Sequence, residues 1–485
     1  MEAEPMLPVK LMTLRAALVL LIAVGLGCVR FDGIETEGKQ LEPPVSLLDT
    51  TFAAWPDAAW WTEYQDSALS RLIEHALAEN PTIELAEARL RAAQAASEFV
   101  GAARQPRLEA SFDSTWQRYS ENGFAPPFAG GSHDTDNRLA FDASYELDLF
   151  GRQRAALAAT EAQVTATQAA TQTARLGVAT AVARVYFQLA QACAEHSVVE
   201  QTLKQRRHIV DLVKSRVALG IDSNVELRQA EGAIPRTQEE LALLLERISL
   251  LRISLSRLTL APPATTDTLV PQLTRIPTPI LPGIIPSDLV ARRPDVVAAQ
   301  WRIAATFKGV ESVRAEFYPS VNLSAFAGFG ALGLGALLQG SSLIYGVAPT
   351  LRLPIFDADR LRGKLKFVNA QTDIAIAEYN DTLLHAMGEV VRAVTSIRTL
   401  EQRTTAQHLA QAAAESAYLL SLQRFQAGLT GYLTVLVTEG ELLTEWRRAA
   451  ILTARAFELD VALKGALGGG LDTPAMLANQ DRNRT

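Results

Sequence analysis

ENPTIELAEARLRAAQAASEFVGAARQPRLEASF, residues 79–112, and RRPDVVAAQWRIAATFKGVESVRAEFYPSVNLSAF, residues 292–326, are two versions of one segment. Pro81 and Pro106 stand 25 residues apart, as do Pro294 and Pro319. Moving outward, YELDLFGRQR (145–154) parallels TLRLPIFDADR (350–360), and SRVALGIDSNVEL (215–227) parallels QRFQAGLTGYLTV (423–435). Phe150 to Gly220 spans 70 residues and Phe356 to Gly428 spans 72. Three matched landmarks in one order, at near-equal spacing, make the chain a tandem duplication. The expected organisation is a first repeat over 66–260, a Pro-rich linker over 261–287 and a second repeat over 288–467. Residues 28–65 precede this pair and a Gly-rich tail, 468–485, follows it. Each repeat reads helix, strand, loop, strand, very long helix, turn, helix.

The strands carry the membrane question. Leu108, Ala110, Phe112, Ser114 and Trp116 alternate with Arg107, Glu109, Ser111, Asp113, Thr115 and Gln117. Leu139, Phe141, Ala143, Tyr145, Leu147 and Leu149 oppose Arg138, Asp142, Ser144, Glu146 and Asp148. The second repeat answers with Val321, Leu323, Ala325, Ala327 and Phe329, then Leu343, Tyr345, Val347, Leu351 and Leu353. A half-buried sheet of a soluble domain alternates in the same way. Strands of about 10 residues, apolar on one face, also fit a transmembrane barrel. Four strands cannot enclose a pore, and open sheet edges are not tolerated in lipid. A spanning barrel therefore needs several copies of the chain. The loops 120–135 and 330–341 carry the Gly, Pro, Ser and Asn suited to an exposed end.

Helix length points to the same kind of assembly. Residues 151–220 and 363–428 contain no proline, and only Gly177 and Gly388 fall inside them. At 1.5 Å per residue each makes a rod of about 100 Å, far beyond an ordinary globular helix. Leu227, Ile234, Leu241, Ile248 and Leu255 repeat every seven residues, opposite Val199, Leu203, Val210, Val213 and Val217. That is a coiled-coil seam. Pro235 is expected to kink the return helix. Single helices are expected over about 66–104 and 222–260; stacked end to end, they match one long helix.

Lys10 and Arg15 precede an apolar run from Ala16 to Leu26, followed by Gly27 and Cys28. This is a secretory signal over residues 1–27. A cysteine at the cut marks a bacterial lipoprotein, and Val29 after it implies transfer to the outer membrane. Gly25 stands where lipoproteins usually carry Leu, so an ordinary signal peptide also fits. With Cys28 acylated, Cys193 is alone and reads as a packing residue. A net charge of -7 offers no basic footprint for nucleic acid. GFGALG, with Gly328, Gly330 and Gly333, fits GxGxxG but opens no helix. The six histidines are scattered, and Asp357 with Asp359 is half a metal loop at most. Neither an enzyme nor a cofactor-binding protein is expected.

With these residues in view, the chain resembles a TolC-type outer membrane factor of the NodT branch, which serves resistance-nodulation-division efflux systems. WWTEYQDSALSRLIEHALAENP (60–81) is similar to that family's N-terminal signature. PSDLVARRPDVVAAQ (286–300) with EFYPSVNLSA is similar to its middle motif, and LKGALGGG (463–470) to its end. The resemblance implies a mixed α and β membrane protein. Three chains of four strands close one transmembrane barrel, continued by a long periplasmic α-helical coiled-coil barrel. It also implies passive conduction of small toxic compounds from an inner-membrane efflux transporter, with a periplasmic adaptor as the further partner. The adaptor would meet two helical turns, here Arg216, Gly220, Ile221 and Asp222, and Arg424, Gly428, Leu429 and Thr430. The family's constriction, often built from carboxylates three apart, falls on Thr434 and Val437, with Glu439 nearby. A less charged closure follows, flanked by Arg424. An exit duct for protein secretion uses the same build, and a non-spanning periplasmic coiled-coil scaffold is the rival from another class.

Overall fold

The computed structural model describes residues 31–42, 57–122, 130–273 and 288–470. Cys28, the signal segment, and parts of the first strand loop, the linker and the tail lie outside them. Among the described residues no helix is long and apolar enough to cross a membrane.

The helices are α1 (Ser67–Glu79), α2 (Pro81–Ala102), α3 (Arg152–Ala218), α4 (Asn224–Thr259), the short α5 (Pro263–Asp267) and α6 (Asp288–Ala291), α7 (Pro294–Ala315), α8 (Ala358–Gln426) and α9 (Tyr432–Ala466). The strands are β1 (Arg107–Arg118), β2 (His133–Leu147), β3 (Ser320–Leu332) and β4 (Leu343–Arg352). The two repeats correspond element by element: α2 and α7 each have 22 residues, α3 has 67 against 69 in α8, and α4 has 36 against 35 in α9.

The helix expected over 66–104 is two helices. Asn80 adopts an extended conformation because Pro81 follows it. Its side chain donates to Leu258 O at 2.7 Å and accepts from Thr82 N at 2.9 Å. Pro81 then opens α2, as Pro294 opens α7, a position that needs no N–H partner. The α4 helix runs unbroken through Pro235. The expected heptads are joined in burial by Ala230, Thr237 and Leu244, the other edge of the same seam.

The four strands form one antiparallel sheet in the order β1-β2-β3-β4. Register brings the apolar alternates of all four strands to one face: Phe112 opposite Leu139, Leu139 opposite Phe329, and Phe329 opposite Leu343. The pairing extends further than the loop residues suggest. His133 belongs to β2, and Gly330 pairs with Arg138 inside β3. Leu149 and Leu353 fall just beyond the strand ends. A Cβ on Gly328 would come 2.1 Å from Leu139 O, so the close approach of β2 requires glycine there. On the opposite face Arg138 pairs with Asp142 at 2.5 Å and donates to Ser111 at 3.2 Å.

The apolar face is uncovered within the chain: Phe141 is 60% exposed, Tyr345 78% and Val347 70%. Towards its outer end the face carries a cross-strand bond from Ser114 to Asn137, 2.7 Å, with exposed Trp116 beyond it. From Asn137 to Leu147 the strand rises about 33 Å, or about 25 Å at a tilt of about 40°, the height of a barrel's apolar band.

The described residues form two compact units. One combines parts of 1–40, 91–166 and 300–378 and holds the sheet. Its core packs Ile34 against Val310, Val313, Phe317, Leu361 and Leu365. The other combines parts of 41–90, 167–299 and 379–485. Its core stacks Phe187 on Phe457 at 4.8 Å beneath Trp60, Tyr64 and Ile73. Buried Lys464 bonds Glu63 at 2.7 Å and Asp460 at 3.0 Å there. Each unit takes segments from both repeats, so neither repeat is itself a compact unit.

Phe141→Arg is expected to destabilise the membrane-folded protein by about 2–4 kcal/mol, because it places a charge mid-band on the apolar face. Asn322→Lys, on the polar face opposite Glu146 and Thr350, should change stability by about 0.5 kcal/mol or less. Urea titration of the protein folded into lipid vesicles measures both.

Candidate functional site at the two helical turns

The long helices end in the same way. Gly220 and Gly428 have φ of +70° and +74°, the left-handed conformation in which a side chain would be strained. Around the first, Gly220 N donates to Val217 O at 3.0 Å and Ile221 N to Arg216 O at 2.9 Å. Around the second, Gly428 N donates to Phe425 O at 2.9 Å and Leu429 N to Arg424 O at 2.8 Å. Both are Schellman caps, which satisfy the last carbonyls and reverse the chain. Ser223 then opens α4 with a capping box, its partner being Glu226. Gly431 caps α9 without a side chain.

The duplicated turns differ in charge. Buried Arg216 bonds Asp222 through Nε at 2.7 Å and Nη2 at 3.1 Å. It also donates to Phe425 O at 3.0 Å and lies over the Phe425 ring at 4.5 Å. One guanidinium thus ties the first turn to the end of α8, and the carboxylate beside it raises its pKa further. In the second turn Thr430 occupies the place of Asp222, so Arg424 has no equivalent carboxylate, and its side chain is exposed. Thr430 and Thr434 share a hydroxyl bond of 3.0 Å. Leu219, Ile221, Val225, Leu429 and Leu433 all stand exposed on the two turns and the helix starts that follow them.

Thr434 and Val437 are exposed on α9, whereas Glu439 is buried. Its Oε2 accepts from Arg206 Nε at 3.0 Å. Arg206 also donates to Thr237 Oγ1 at 2.7 Å and Ala233 O at 3.4 Å. The carboxylate of Glu439 therefore faces the wall of its own chain and joins α3, α4 and α9. Within this chain, Glu439 is thus set apart from Thr434 and Val437, with which the sequence grouped it: its side chain is buried and theirs are exposed. Burial pushes the Glu439 carboxyl above the ordinary range, and Arg206 opposes that shift. Tyr432, buried beside Phe425, is pushed up to about 12 by burial and then by Glu439.

The Arg206–Glu439–Thr237 network was invisible in the sequence, where its members lie far apart in unremarkable helical stretches. A charged residue recurring on an otherwise apolar seam is the only signal available. Cys193 is half-buried against the aromatic core, and burial raises its thiol pKa.

Arg206→Met leaves Glu439 buried without its cation, which should cost about 3–5 kcal/mol at pH 7. A carboxyl raised in the folded state contributes most stability below its unfolded pKa and loses that contribution as pH rises through the folded value. The deficit should therefore shrink towards pH 5, and Arg206→Met/Glu439→Gln should recover much of it at pH 7. Thermal unfolding followed by helical circular dichroism reads all three.

A family model described as "Outer membrane efflux protein" matches residues 72–259 and 285–469, one stretch in each repeat. The multidrug resistance outer membrane protein MdtQ of Escherichia coli O6:H1 is 30% identical over 444 residues, spanning 88% of this chain and 92% of that protein. MdtP of Shigella flexneri, also a multidrug resistance outer membrane protein, is 31% identical over 464 residues, spanning 92% and 93%. The crystal structure of the outer membrane protein VceC from Vibrio cholerae aligns with a TM-score of 0.81 at 34% identity, covering 86% of this chain and 100% of that one. The outer-membrane channel OprN aligns at 0.82 with 25% identity, covering 89% and 99%. Both solved structures share this chain's fold over nearly their whole length. With a matched stretch in each repeat, the chain belongs to the outer membrane efflux protein family.

Proposed function

We propose that three copies of this chain form a passive export duct for small toxic compounds, a β-barrel in the outer membrane prolonged by a helical tube into the periplasm. The sheet carries this reading. Its apolar face runs in register across all four strands, yet β1 and β4 each have one neighbour among the described residues. Both ends of the sheet need partners in lipid. An even number of alternating strands lets β4 of one copy lie antiparallel to β1 of the next. Helix α4 supports the same assembly. Leu243, Leu250 and Ile253 are exposed on the side away from its buried seam, where a second copy would cover them.

A periplasmic adaptor docks on the exposed apolar residues of the two turns, which the Arg216–Asp222 pair holds rigid. Thr434 and Val437 form the constriction, an uncharged one, and Glu439 acts behind it by fixing α9 to the wall. An inner-membrane efflux transporter supplies the energy and the cargo. Cys28 carries the lipid. Phe31, three residues later, packs edge-on against Phe317 at 5.2 Å, just before β3 begins. That contact holds the N-terminal segment beside the inner end of the sheet. Asp373 then accepts from Glu37 N at 2.9 Å and Gly38 N at 2.7 Å.

Deleting the gene should sensitise cells to several unrelated toxic compounds while leaving protein secretion intact; loss of a secreted protein alone would favour the secretion duct. Ile221→Asp with Leu429→Asp should express as a heat-modifiable oligomer and fail to restore resistance, since charge is placed on the docking surface. Labelled palmitate should enter the wild-type chain and not Cys28→Ala.

A further inference from the structure

A cleft of about 510 Å³ lies among α3, the start of α7, α8 and α9, entirely within the compact unit that holds the aromatic core. Its lining includes four arginines, Arg184, Arg293, Arg392 and Arg455, and two carboxylates, Asp295 and Glu389. Both carboxylates are engaged by one cation. Arg293 is buried and bonds Asp295 at 2.7 Å and Glu389 at 2.7 Å, with a further bond to Ala466 O at 2.9 Å. Arg455 pairs with Glu458, outside the lining, at 2.8 Å. Among the described residues Arg184 and Arg392 have no ion pair, and both are exposed. The remaining wall is largely apolar, with Leu176, Ala393 and Leu459 prominent and the hydroxyls of Thr173, Thr180 and Ser396 among them.

From this geometry we infer that the cleft binds amphipathic organic anions, a carboxylate or similar group on an apolar body. Against Asp295, Glu389 and Glu458 the four arginines leave one net positive charge, carried by the guanidinium groups of Arg184 and Arg392, whose planar forks match a carboxylate with two parallel hydrogen bonds. Arg293 holds the floor rigid, because its three partners occupy it. The apolar wall favours a ligand with a hydrocarbon part over a bare inorganic ion, whose hydration such a wall cannot replace. A cation would meet uncompensated like charge. Within the proposed duct the cleft is a station for anionic cargo. That role rests on the duct reading, whereas the binding itself does not.

Calorimetric titration of the purified mature oligomer in detergent tests it, with 2-naphthoate as the probe. The anion should bind about tenfold or more tighter than 2-naphthylmethanol, 2-naphthylmethylamine or inorganic phosphate, a preference set by guanidinium groups beside a largely apolar surface. Arg184→Gln/Arg392→Gln should abolish the preference while the oligomer stays intact. Arg398→Gln, on α8 outside the cleft, should keep it. Equal affinity for the three naphthyl compounds, or a preference that survives the double variant, overturns the inference. So does phosphate binding as tightly as 2-naphthoate. If the double variant no longer assembles, the arginines serve contacts between copies and the inference also falls. A failed titration leaves the drug-sensitivity result of the deletion strain standing, so the two readings fail separately.

Discussion

Backbone hydrogen bonding at the two outer strands constrains everything else in this molecule. The sheet runs β1-β2-β3-β4, with each end strand paired on one side. In water such edges are solvated, but in hydrocarbon each unpaired N–H and C=O costs several kcal/mol. The uncovered apolar face excludes water as a comfortable solvent, and the open edges exclude lipid for a single copy. Only closure by further copies removes both penalties. The duplicated chain suits this, because four alternating strands present antiparallel edges of opposite kind.

The helical part meets a different constraint with the same economy of parts. Long helices bury small residues such as Ala166, Ala169, Ala183 and Ala190, which allow close approach. Length is then limited by where the chain can turn. Gly220 and Gly428 provide two equivalent turns, and the repeats diverge only in what surrounds them. Asp222 neutralises Arg216 and fixes the first turn, whereas Thr430 gives the second turn no such ion pair. Farther along, a buried ion pair joins α3 to α9, with Thr237 of α4 as a third partner. Burying charge in this way contributes little net stability when intact and is costly when broken, so it behaves as a specification of geometry.

Charge follows a similar division in the large cleft. Arg293 bonds both local carboxylates and so holds the start of α7 against α8 and the end of α9. What remains facing the cavity is positive. A transport wall needs no catalytic groups, but it does need a pattern of charge, and pairing within the wall sets the charge that cargo meets.

Much of the architecture was legible in the sequence because periodicity and punctuation are local. Alternation at Leu108–Trp116 and Leu139–Leu147 marked two strands, the proline-free stretches marked the rods, and Gly220 and Gly428 marked their ends. Local signals also misled where neighbours decide: glycine and serine after Phe329 suggested loop, yet the facing strand continues the ladder through Gly330. The break at Asn80 was available in Pro81 and is confirmed by a bond to Leu258, distant in sequence. Nothing local, however, distinguishes Glu439, buried against Arg206, from exposed Glu441 two residues on. Sequence by itself determined the repeat, the elements and the need for companions, because each follows from spacing along one chain. Tertiary structure alone decided which charges are spent inside the wall and which are left to face the cleft, because pairing depends on side chains brought together from four separate helices.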